Sequence, residues 1–119
     1  MFAHPSSTWF DIVEQFGSPV YVYDEDQLRK SVSEVCSFPH PFEFTPRFAL
    51  KALPTRAIVQ LFHSLGLHFD VSSGFEIERA LLAGIPATNL SLSSQELPNP
   101  DLLNNGVKFN ACSLKQLTW

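Results

Sequence analysis

The chain has 119 residues, the length of one domain or of a piece of a larger one. Hydrophobic residues make up 45% and charged residues 17%, with 11 Phe and a mean hydropathy of +0.02, which excludes a disordered, solvated polymer. A formal net charge of −4 and a pI near 5.4 exclude the clustered basic face that nucleic-acid phosphates require.

Taken in order, the residues first predict a helix capped by Ser7, with Trp9, Ile12, Val13 and Phe16 at helical spacing and Gly17 as its stop. "SPVYVYD" (18–24) follows as a strand rich in β-branched and aromatic residues. Asp24 with Gln27 three residues on resembles a capping box, and opens a second helix with Leu28, Val32 and Val35 on its buried side. That helix ends before "SFPHPFEFTP", whose three prolines disfavour helix.

Beyond this loop short apolar strands alternate with amphipathic helices, the sign of βα units and a parallel sheet. Four units are predicted. They are strand 48–52 with helix 55–65, strand 67–71 with helix 74–82, strand 90–93 with a short helix near 100–105, and strand 107–111 with a helix from Ser113. In the first of these helices Ile58, Leu61, Phe62 and Leu65 share one face, and Gly66 stops it. Because a complete (β/α)₈ barrel needs ~250 residues, four units amount to about half of one. The division expected is therefore 1–45 as an N-terminal helix, strand and helix, and 46–119 as the first half of an α/β barrel of the TIM type.

Cys36 and Cys112 have neither metal-ligand spacing nor the number for a disulfide framework, which points to a reducing cytoplasm. "MFAHPSSTWFDIV" lacks the regions of a secretory signal, and no window approaches the ~18 apolar residues of a membrane span. No membrane or nucleic-acid partner is expected. The four histidines, His4, His40, His63 and His68, show no ligand spacing.

Each predicted strand ends in, or is followed at once by, a polar side chain: Lys51, Asp70, Ser93 and Asn110. In parallel βα folds that end faces the ligand. A lysine there is either solvated just past the strand or is desolvated, deprotonated and nucleophilic, able to form a Schiff base with an aldehyde. Spacing alone leaves both open.

The succession "VYVYDEDQLRKSV", "FALKALP", "GLHFDVSSGFEIERALLAGIP" and "GVKFNACSLKQL" resembles the N-terminal part of the pyridoxal-phosphate-dependent diaminopimelate, ornithine and arginine decarboxylases, which share an alanine-racemase-like barrel. "YVYD" and "AGIP" are most similar to the diaminopimelate decarboxylases of that group. The resemblance implies pyridoxal 5′-phosphate as cofactor and Lys51 as the catalytic lysine that joins it. It implies Asp70, Ser72 and Ser73 as cofactor-binding residues, and Glu76 and Ser93 as substrate or supporting residues. Glu76 is alternatively a first-turn carboxylate favoured by the helix dipole, and Ser72 or Ser73 its N-cap. The chain departs from the family's pattern at Leu53, at Phe75 and at "SLSSQELPNP".

The family's phosphate-binding glycines, cofactor-stacking histidine, ring-nitrogen acid and C-terminal β domain would all follow Trp119. The resemblance thus implies decarboxylation of meso-diaminopimelate to L-lysine by the full-length protein, a homodimer acting on a small-molecule amino acid, with residues 1–119 inactive alone. Ornithine, arginine or a carboxylated polyamine is the alternative substrate. A non-catalytic truncated homologue acting as a binding module is the alternative class.

Overall fold

The computed structural model describes residues 6–118. Helix α1 (Ser6–Phe16) starts one residue before the expected cap, so Ser7 lies in its first turn, and Gly17 ends it at a φ of 82°. The residues of "SPVYVYD" form no strand, which corrects the sequence reading. Their β propensity is met by no neighbouring strand among the described residues, and Tyr21 is 91% exposed. A strand exists only where a partner accepts its ladder, and propensity alone cannot supply one.

Helix α2 (Glu25–Cys36) begins as expected, with the Asp24 carboxylate accepting from the Gln27 backbone N–H at 3.2 Å. Val32 is buried and Leu28 packs against the core, but Val35 is exposed, contrary to its predicted place on the buried side. The proline-containing loop then leads to β1 (Arg47–Ala49), which is shorter than predicted because Leu50–Ala52 form a 3-10 turn.

The remaining elements follow the predicted alternation: α3 (Arg56–Ser64), β2 (His68–Val71), α4 (Gly74–Leu82), β3 (Leu90–Ser93), α5 (Pro100–Asn104), β4 (Lys108–Asn110) and α6 (Leu114–Leu117). The four strands form one parallel sheet in the order β1-β2-β3-β4, with Ala49 level with Asp70, Asp70 with Ser91, and Ser93 with Asn110. Parallel neighbours need a crossover, and α3, α4 and α5 provide the three. Gly66 stops α3 at a φ of 89°, a left-handed conformation that side-chain-bearing residues adopt at a cost.

Strand side chains alternate between two faces. One face is the core: Phe69, Val71, Leu90 and Leu92 are buried with Ile58, Val59 and Phe62 of α3 and Ile77 and Ala80 of α4. Phe48 joins it edge-on to Phe62, with ring centroids 4.8 Å apart. The alternate residues, Arg47 and Ala49, His68 and Asp70, Ser91 and Ser93, Lys108 and Asn110, therefore occupy the other face, which is polar. Among the described residues no helix is long and apolar enough to cross a membrane.

Candidate active site at the carboxyl ends of the strands

Lys51 sits in the 3-10 turn just past β1. Leu50 is fully buried and the Leu53 N–H closes the turn on its carbonyl at 3.2 Å. The next side chain, Lys51, is thereby delivered to the exposed end of the sheet. It lines a cleft of about 400 Å³ with Pro54, Ser73, Phe75, Glu76 and Arg79. Among the described residues no carboxylate lies within ion-pair distance of its Nζ. A larger open cleft of about 650 Å³ lies alongside, lined by Thr55, Arg56, Glu78 and Leu82 among others. It excludes Lys51, so the smaller cleft is the chemically informative one.

The turn between β2 and α4 shapes the cleft's other wall. Ser73 is the N-cap, its hydroxyl accepting from the Glu76 N–H at 3.3 Å. The Glu76 carboxylate reaches back and accepts from the Ser72 N–H at 2.9 Å and from the Ser72 hydroxyl at 2.8 Å. This is a capping box displaced by one residue, and it engages both carboxylate oxygens locally. The turn between β4 and α6 repeats it. Ser113 caps Gln116 at 3.3 Å, and the Gln116 amide oxygen accepts from the Cys112 N–H at 2.6 Å. Gln116 also donates to the Ser94 carbonyl at 2.8 Å and the Glu96 carbonyl at 3.2 Å.

A second polar group runs across the sheet. The Ser93 hydroxyl donates to Asp70 Oδ1 at 3.2 Å, and Asn110 Nδ2 donates to the hydroxyls of Ser93 at 2.9 Å and Ser91 at 3.0 Å. Lys51, Ser73 and Glu76 thus share a cleft, Asp70 and Ser93 share a hydrogen-bonded row, and Ser72 is exposed and bound to Glu76. Arg79 was not among the residues read from the sequence. Its signal was available, since it lies three residues after Glu76 on one helix and so shares that face.

Residues 26–110 match the family model described as the pyridoxal-binding domain of the pyridoxal-dependent decarboxylases. Curated relatives include the diaminopimelate decarboxylase of Neisseria meningitidis serogroup A, 32% identical over 110 residues that cover 89% of this chain and 27% of the relative. That of Pseudomonas fluorescens is 36% identical over 114 residues, covering 89% of this chain and 26% of the relative. Among solved structures, lysine/ornithine decarboxylase from Vibrio vulnificus in complex with putrescine aligns with a TM-score of 0.80 at 27% identity, over 94% of this chain and 31% of that one. The chain therefore spans about a quarter of the length of the curated relatives it matches.

The family's cofactor is pyridoxal phosphate, and the cleft fits one side of it. A primary amine without an ion-pair partner reaches an open cleft at the carboxyl end of a parallel sheet, beside a serine hydroxyl and an arginine. Of these groups the amine is the one that an aldehyde can join as a Schiff base. By sequence and by fold, the chain belongs to the pyridoxal-dependent decarboxylases and carries an N-terminal part of their barrel.

Proposed function

We propose that the full-length protein is an amino-acid α-decarboxylase that converts meso-diaminopimelate to L-lysine and carbon dioxide. The observation that carries this reading is Lys51 at the end of the first of four parallel strands, sharing its cleft with Ser73 and Glu76. Lys51 holds the cofactor through Nζ, and Asp70, Ser72 and Ser73 are assigned to the cofactor's side of the site. When bound, pyridoxal phosphate supplies the sink for the electron pair left by the departing carboxyl group. In the net reaction the bond from Cα to the carboxyl carbon breaks, carbon dioxide leaves, and a proton is added to Cα. Lys51 is the amine lining the cleft, and we assign it to carry a proton there. Glu76 supports the site by fixing the turn that bears Ser73, and Ser93 by orienting Asp70.

Diaminopimelate is supported as substrate by the relatives at 32% and 36% identity. A second reading, decarboxylation of ornithine or lysine, is favoured by the TM-score of 0.80 to the Vibrio vulnificus enzyme. Arginine and carboxylated polyamines belong with that second reading. The proposal includes a homodimer of full-length chains acting in the cytoplasm, in line with two free, exposed cysteines. The test is to supply the full-length protein with pyridoxal phosphate and, separately, meso-diaminopimelate, ornithine, lysine and arginine. Lysine from diaminopimelate is the expected product. Putrescine, cadaverine or agmatine instead would establish the second reading, and carbon dioxide from none of them would favour a non-catalytic binding module.

A further inference from the structure

Asn110 ends β4 and is level with Ser93 of β3. Its amide nitrogen donates twice, to the Ser93 hydroxyl at 2.9 Å and to the Ser91 hydroxyl at 3.0 Å. Ser91 is buried, and Ser93 in turn donates to Asp70 Oδ1 at 3.2 Å. Among the described residues Asp70 Oδ2 has no hydrogen-bond or ion-pair partner. One oxygen of this carboxylate is thus tied to the sheet, and the other is free for a ligand.

The direction of this row is set at its two ends. A carboxylate only accepts and an amide NH₂ only donates, whereas a hydroxyl does both with a single proton. Ser93 therefore accepts from Asn110, and its one proton is left for Asp70. With the amide turned over, its oxygen would draw the protons of both serines, and Ser93 and Asp70 would face each other as two acceptors 3.2 Å apart. Removing the amide frees the Ser93 hydroxyl to rotate, yet that hydroxyl can still donate to Asp70. Replacing the amide by an acceptor draws the proton away, and Asp70 then stands beside an oxygen that no longer donates to it.

We propose that Asn110 is a positioning residue for the decarboxylation: it aims the Ser93 proton at Asp70, which fixes one carboxylate oxygen and presents the other to the cofactor's side of the site. The proposal rests on Asp70 serving that side, as the function proposed for the full-length protein has it. Each of the four strands then contributes to one site, with Lys51 just past β1, Asp70 on β2, Ser93 on β3 and Asn110 on β4.

The experiment compares Asn110→Ala with Asn110→Asp in the full-length protein, each alone and in a Ser93→Ala background. Values of kcat and KM are measured with pyridoxal phosphate and meso-diaminopimelate, ornithine and lysine. The expected kcat of Asn110→Asp is about 10- to 100-fold below that of Asn110→Ala, the equivalent of one charge-assisted hydrogen bond, with KM changed less. In the Ser93→Ala background the two should agree within about twofold, because the path to Asp70 is gone. Equal kcat in the two single variants, or a difference that persists without Ser93, would overturn the positioning role. A second measurement needs neither turnover nor cofactor. With selective ¹⁵N-asparagine labelling, Ser93→Ala is expected to move one of the two Asn110 side-chain amide protons upfield, and Ser91→Ala the other. Amide protons that neither change moves would overturn the row, and the proposal with it, even where Asn110→Asp fails to fold. No decarboxylation of any of the three amino acids by the unaltered protein would overturn the reading of the site and the positioning role together, whereas turnover with equal Asn110 variants would overturn the positioning role alone.

Discussion

Ser93 joins two strands by donating a hydrogen bond to Asp70 on β2 while accepting one from Asn110 on β4. It is the middle of a three-strand row, and its removal leaves a half-buried carboxylate and an amide each one partner short. Ser93→Ala is expected to lower stability by about 1 kcal/mol, the usual net value of such bonds. Urea denaturation measures this, and no change in midpoint would show that water replaces the hydroxyl without cost.

Borohydride treatment of the full-length protein with pyridoxal phosphate should place the pyridoxyl group on Lys51. Lys51→Ala should lose the cofactor's visible absorbance band together with activity. Peptide mapping decides it, and a label on Lys108 or Lys115 would end the assignment.

Glu76 contacts Ser72 through both carboxylate oxygens, so its replacement should first be felt as lost helix capping. Glu76→Ala is expected to cost about 1 kcal/mol, within the range for cap residues, and Glu76→Gln less because its amide oxygen still accepts. A Glu76→Gln protein with unchanged Tm but a collapsed kcat would instead make this carboxylate a direct participant in catalysis.

The depressed pKa of His68 has a definite sign in stability. Its unfolded form binds a proton near pH 6.5, more readily than the folded form, so the contribution is present above that pH and is lost on acidification below it. Residues 1–119 should therefore lose stability as pH falls from about 7 to about 5, and His68→Gln should flatten that slope. Parallel slopes in the two proteins would contradict the shift.

Among the described residues β1 and β4 each have a single hydrogen-bonded neighbour, which leaves two ladder edges available for pairing. Residues 1–119 prepared alone are expected to self-associate and to give no lysine from diaminopimelate. Light scattering and a product assay test both, and lysine formation that depends on Lys51 would show that these four units suffice.

What could be read in the residues was what local chemistry determines. Helix α4 and strand β3 appear with the predicted limits, because Ser73 and the change from period-two to helical patterning are visible within a few residues. "SPVYVYD" failed for the opposite reason, since its neighbours in space decide whether an extended segment becomes a strand. Val35 followed the helical period of Leu28 and Val32, yet the core does not extend to it. At the site, the sequence located Lys51, Asp70 and Ser93 at strand ends, whereas the 3-10 turn under Lys51 depends on Leu50 finding the core. The row linking Asp70, Ser93 and Asn110 required the register of three strands, which no linear pattern contains.

The reach of Gln116 back to the carbonyls of Ser94 and Glu96 fastens the loop of the third unit to the turn that opens α6 in the fourth. Disturbance of this link at the rim passes between adjacent units, as it does between the repeats of a solenoid. An alteration at position 116 would loosen the segment that follows Ser93 before it touched Lys51. Engineering of the rim is therefore best undertaken in pairs of adjacent units.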